Sequence, residues 1–91
     1  MLSSDEVTSL CPVTEQPDFY EVWIKYWPTD LCIESKTMKL YLQSIRNNGM
    51  FVEDLAHKIA DDVHDALDCR VRVTIDQKPR GGVAIRVEAK R

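Results

Sequence analysis

The sequence predicts an α+β domain in which an antiparallel sheet is covered on one face by two helices, in the order strand, strand, helix, helix, strand, strand. Three observations carry this. Apolar residues alternate with period two in Phe19–Tyr26, Cys69–Asp76 and Val83–Glu88, as strands with one buried face require. Between the first of these stretches and the second, the spacing changes to the helical i, i+3, i+4, i+7 pattern. No linker, repeat or low-complexity segment interrupts the order, so the helices lie between hairpins and pack as one layer on the sheet.

Taken in order, residues 1 to 10 mix polar and apolar groups and are expected to hold a short strand from about Glu6 to Leu10. Cys-Pro-Val-Thr-Glu-Gln-Pro-Asp (Cys11 to Asp18) follows. Its prolines remove backbone donors and push the preceding residues into extended geometry, so it must be a stiff loop. In the next strand Tyr20, Val22, Ile24 and Tyr26 share one face, and Phe19, Glu21, Trp23 and Lys25 the other, whose aromatic surface marks it as a partner contact or part of a pocket. Trp27-Pro28-Thr29-Asp30 ends it. Met38, Tyr41, Leu42 and Ile45 form the apolar stripe of the first helix, and Asn47-Asn48-Gly49 is expected to stop it with left-handed residues. The second helix is expected over about Phe51 to Leu67, with Val52, Leu55, Ile59, Val63 and Ala66 inward. Lys78-Pro79-Arg80-Gly81-Gly82 reads as the turn joining the last two strands into a hairpin. So small a sheet keeps two unpaired edges, and joining edges with identical subunits into closed rings would cover them.

At 91 residues and 44% apolar, residues 1–91 are expected to form one domain, of a size at which a core buries only about 60 to 65% of the unfolded surface. Help from neighbouring subunits is the corollary. The sequence holds no long apolar run and no signal-peptide pattern, so a cytoplasmic protein without a membrane partner is expected. Its cysteines, Cys11, Cys32 and Cys69, are widely spaced and odd in number, which fits neither a disulfide framework nor a zinc ribbon and implies a reducing compartment. A net charge of −3 argues against general nucleic-acid binding.

Several groups could carry chemistry. Cys11 and Asp18, held on one stiff loop, suit a nucleophile and a proton donor, although a cysteine at a strand end also serves as a small buried apolar residue. Glu34 and Glu53 stand at the starts of the two helices, where a carboxylate either caps the helix or accepts paired hydrogen bonds from a guanine-like edge. Lys36 and Lys39 share a helical face, with Arg80 as a third cation; they read as a solvated face or as a phosphate clamp. Glu53, His57, Asp61 and His64 also share a face, but Asp54, Asp62 and Asp65 make a water-facing acidic helix the simpler account, and no metal is expected.

At Cys-Pro-Val-Thr-x-Gln-Pro-Asp-Phe, and again at Glu34-Ser35-Lys36-Thr37-Met38-Lys39-Leu40-Tyr41, the sequence resembles the QueF family of nitrile reductases, tunnel-fold enzymes related in architecture to GTP cyclohydrolase I. The likeness continues through Arg46-Asn47-Asn48-Gly49, Glu53-Asp54 and Pro79-Arg80-Gly81-Gly82, covering roughly residues 8 to 87. It implies reduction of 7-cyano-7-deazaguanine to 7-aminomethyl-7-deazaguanine with NADPH, in the queuosine pathway of tRNA modification, by a stacked-ring homo-oligomer. By that resemblance Cys11 would attack the nitrile carbon to give a thioimide and Asp18 would supply protons. Ile33, Glu34 and Ser35 would contact the base, Phe51 would pack on it, and Glu53 would bind its guanine-like edge. Lys36 and Lys39 belong to the motif associated with NADPH, and Arg80 would assist with its phosphates. Val52 stands where family members usually carry a histidine, and Thr37 where Ser or Ala is usual, so a short or divergent member is expected. The alternatives are a QueF-like amidinotransferase, an archaeosine synthase in which ammonia attacks the same thioimide on a tRNA-borne base, and a deazaguanine-binding module that does not reduce its ligand.

Overall fold

Alternating apolar residues need a partner layer, and the chain builds one from its own middle. The computed structural model describes residues 1–91 as β1 (Leu2–Leu10), β2 (Pro17–Trp27), α1 (Ser35–Ser44), α2 (Val52–Leu67), β3 (Arg70–Arg80) and β4 (Val83–Lys90). The strands form one antiparallel sheet in the order β1-β2-β3-β4. The predicted element order and layer arrangement are therefore those of the fold. Tyr20, Val22 and Ile24 of β2 and Val71, Val73 and Ile75 of β3 turn the same way and are buried. Against them α2 lays Val52, Leu55, Ala56, Ile59, Ala60, Val63 and Leu67, a stripe at helical spacing. The second helix packs on β3 and β4, while α1 rests beside β1.

Four local expectations are corrected. β1 starts at Leu2 instead of Glu6, because pairing with β2 (Leu2 with Ile24, Ser3 with Trp23) extends a stretch too polar to show alternation; a register shift between Ser4 and Val7 breaks what pattern there is. Ala66 is exposed on the groove beside Cys32 and Ile33, and Leu67 takes the buried position in the last turn. Asn47-Asn48-Gly49 contains no left-handed residue. Instead α1 tightens at its end, with Ile45 N–H on Leu42 O (3.3 Å), Arg46 N–H on Gln43 O (3.4 Å) and Asn48 N–H on Ile45 O (2.9 Å). The left-handed cap belongs to α2, at Asp68 (φ 48), whose N–H reaches His64 O at 2.8 Å. Finally, the hairpin turn is only Gly81-Gly82, with φ of 67 and 82. Lys78 to Arg80 stay in β3, where a register shift between Gln77 and Arg80 accommodates Pro79, which has no donor for the ladder.

Ile59 lies at the centre of the helix–sheet interface and is 0% exposed. Ile59→Ala is expected to lower stability by about 2–5 kcal/mol, from lost apolar burial plus the cavity left behind. That is a large share of the roughly 5–14 kcal/mol available to a domain of this size. Urea unfolding should show the midpoint falling with an unchanged slope.

Candidate functional site

The loop between β1 and β2 is closed by its own backbone. Cys11 N–H donates to Gln16 O (2.8 Å) and Glu15 N–H to Cys11 O (2.9 Å), with Glu15 held left-handed at φ 60. Closing the loop this way turns backbone donors back toward the thiol. The Thr14 amide, the Thr14 hydroxyl and the Val13 amide lower the Cys11 pKa below the ordinary thiol value, in that order of effect, against small opposing contributions from burial and from Asp18. Cys11 is a free, partly exposed thiol, whereas Cys69 is the buried one.

Asp18 pairs in register with Ser9 across β1 and β2, and is only 8% exposed. Its carboxylate accepts a hydrogen bond from Arg80 Nη1 at 2.7 Å, and Arg80 Nη2 donates to Thr14 Oγ1 at 2.8 Å. Beneath lies Tyr20, fully buried, its hydroxyl 2.9 Å from Ser9 Oγ. Burial pushes the Tyr20 pKa up, Ser9 opposes this, and the charges of Asp18, Cys11 and Glu53 push it further up. Those three groups thus lie within electrostatic reach of one phenol.

Glu53 arrives there through the chain before α2. Leu10, next to Cys11, donates to Asn48 O (2.9 Å) and accepts from Met50 N–H (3.1 Å), forming a parallel bridge to Gly49. That bridge fixes the start of α2 beside the Cys11 loop. Phe51 and Glu53 are both exposed there, and Glu53 makes no side-chain hydrogen bond, so its carboxylate is free for a ligand. Val52 between them is 2% exposed and packs in the core.

The remaining predicted site residues lie elsewhere. Glu34 occupies the N-cap position of α1 but makes no side-chain capping bond. With Ile33 it lines a cavity of about 320 Å³ shared with Tyr41, Asp62 and Ala66. Asp62 lies nine residues beyond Glu53 on α2, roughly 14 Å at 1.5 Å per residue. Ser35 opens α1, and Lys36 and Lys39 are exposed on it without an ion partner. One chain therefore gathers Cys11, Asp18, Phe51, Glu53 and Arg80 at one end of α2, and sets Ile33, Glu34 and Ser35 toward the other. Arg80 stands with the nucleophile and not with the lysines. Sequence reasoning missed Thr14 and Tyr20: Tyr20 read only as core, and Thr14's signal was its place in the proline loop, where hydroxyls habitually bond local backbone.

The family model described as QueF-like protein matches residues 17–91. Among curated proteins, the NADPH-dependent 7-cyano-7-deazaguanine reductase of Streptococcus thermophilus is 48% identical over 81 residues, 88% of this chain and 50% of that protein. The reductases of Bacillus pumilus (48% identity, 88% of this chain, 49% of that protein) and Allorhizobium ampelinum (45% identity, 93% of this chain, 56% of that protein) match similarly. The chain thus spans about half the length of the curated relatives it matches. Among solved structures, the crystal structure of the archaeosine synthase QueF-Like in the apo form superposes with a TM-score of 0.91 at 27% identity, covering 98% of this chain and 88% of that one.

Proposed function

Because the chain belongs to the QueF-like protein family and has its tunnel fold, we propose that it is a nitrile reductase converting 7-cyano-7-deazaguanine to 7-aminomethyl-7-deazaguanine with NADPH. The observation that carries the reading is the partly exposed Cys11, whose thiol is acidified by the Thr14 and Val13 donors, with the Asp18 carboxylate at the start of the strand that follows its loop. A nitrile carbon is a modest electrophile, and a thiolate is the side chain suited to it. The Cys11 sulfur bonds to that carbon as one carbon–nitrogen π bond breaks. The proton that Cys11 gave up passes to Asp18, which returns it to the nitrogen, leaving a neutral thioimide.

Glu53 accepts the parallel N–H donors of the guanine-like edge, and Phe51 packs on the ring. The lysines fit the cofactor: Lys36 and Lys39 are one helical turn apart, exposed and without ion partners, as a phosphate clamp requires. When bound, NADPH supplies the reducing equivalents that take the thioimide to the amine. Ile33, Glu34 and Ser35 contact the base from a second subunit. Their separation from Cys11 within one chain and the exposed Phe51, Phe19, Leu31 and Leu40 support a ring with sites at the seams. No helix is long and apolar enough to cross a membrane.

A second reading, amidinotransfer to the same thioimide by ammonia, is favoured by the near full-length likeness to the archaeosine synthase. Incubation with 7-cyano-7-deazaguanine and NADPH, followed by nicotinamide absorbance, separates the two. Cofactor oxidation with formation of the amine supports the reductase. Consumption of a nitrile-bearing tRNA only when ammonia is added supports the transferase. A stable adduct with neither outcome would leave a binding module.

A further inference from the structure

The Arg80 guanidinium is spread over the nucleophile's own loop. One nitrogen donates to Asp18 Oδ1 at 2.7 Å, and another donates to Thr14 Oγ1 at 2.8 Å. A threonine hydroxyl has two acceptor positions and one proton. Both acceptor positions of Thr14 are taken, by Arg80 and by the Gln16 N–H at 3.3 Å. The hydroxyl proton is then left for a third partner, and the Thr14 hydroxyl is one of the groups that lower the Cys11 pKa.

We propose that Arg80 is a positioning residue for the nucleophile, which fixes the Thr14 hydroxyl as a donor to the Cys11 thiolate while its other nitrogen holds the Asp18 carboxylate. A planar fork reaches the two acceptors from separate nitrogens in a fixed geometry; the three donors of a lysine share one nitrogen and hold neither partner in a set direction. Arg80 is held charged first by Asp18 and, more weakly, by the thiolate of Cys11, while the thiol itself is acidified through Thr14 and Val13. The geometry brings the hairpin end of β3 to the β1–β2 loop, which explains why β3 stays ordered as a strand through Pro79 to Arg80. This inference rests on Cys11 being the nucleophile, but its test needs no nitrile.

The test is the pH dependence of Cys11 alkylation by iodoacetamide in the folded chain, read by mass spectrometry of the Cys11 peptide. Because the thiolate reacts and the thiol does not, the rate rises with pH through the thiol pKa. Arg80→Ala is expected to move the midpoint up by about one pH unit and so to slow alkylation about tenfold at pH values below it. Arg80→Lys should recover less than half of that loss, and about 20 mM guanidinium should restore part of it in Arg80→Ala, as the paired hydrogen bonding of the guanidinium group requires. Thr14→Val should reproduce the upward shift with Arg80 intact, and decides the matter if Arg80→Ala does not fold. A wild-type midpoint in folded Arg80→Ala, or in Thr14→Val, would overturn the proposal. Failure to react with nitrile alongside shifted midpoints would instead count against the reaction and leave the role of Arg80 standing.

Discussion

Cys11→Ala is expected to abolish turnover, with kcat/KM falling by about three orders of magnitude or more to the level of assay background. The loss follows from the covalent step proposed for Cys11. Without the sulfur no bond forms to the nitrile carbon, and neither remaining cysteine can replace it, since Cys69 is buried and Cys32 lies on the groove beside α1. Cys11→Ser should be nearly as inactive, because a hydroxyl held in the same loop is far less ionised than a thiol. Both variants should fold, because Cys11 is only partly buried and its loop is closed by backbone hydrogen bonds that the side chain does not make. A steady-state assay beside a thermal melt checks the pair: activity lost, midpoint retained.

Glu53→Gln should have the next largest effect, and a different signature. The carboxylate would accept two charge-assisted hydrogen bonds from the guanine-like edge, each worth about 1.5–3 kcal/mol. Glutamine keeps one acceptor and turns an N–H₂ toward a donor. The expected loss in kcat/KM is therefore about 10²–10³-fold. Stability should change little, since Glu53 lies in the first turn of α2, where its interaction with the helix dipole is worth roughly 0.3–1 kcal/mol. Iodoacetamide should still alkylate Cys11 at the wild-type rate, which separates loss of recognition from damage to the nucleophile. An unchanged kcat/KM in Glu53→Gln would remove Glu53 from the base contact.

The fold was legible where one face of an element is buried. β2, β3 and α2 carry clean periods because Tyr20, Val22, Ile24, Val71, Val73 and Ile75 meet the stripe of α2. β1 was only half legible, since an edge strand with a register shift does not need to alternate. Asn47-Asn48-Gly49 misled for a related reason: the bridge from Leu10 to Gly49 satisfies that backbone, and no left-handed cap is needed. In the site, the loop after Cys11 could be read from its prolines and its residue types, but it ends at Gln16: Pro17 and Asp18, expected in the loop, pair with Leu10 and Ser9 as the first residues of β2. The Arg80–Asp18 bond could not, because its partners stand 62 positions apart in the chain and only sheet register brings them together. Nor could the distance between Glu34 and Glu53 be read from two similar helix starts; it depends on which end of α2 the first helix meets.

The most direct measurement of the central claim is intact-protein mass spectrometry after mixing the wild-type chain with 7-cyano-7-deazaguanine in the absence of NADPH. A mass increase of one nitrile per chain is expected, mapped by peptide analysis to Cys11 and lost in Cys11→Ala. An unmodified chain under conditions in which iodoacetamide alkylates Cys11, or an adduct that persists in Cys11→Ala, would contradict it.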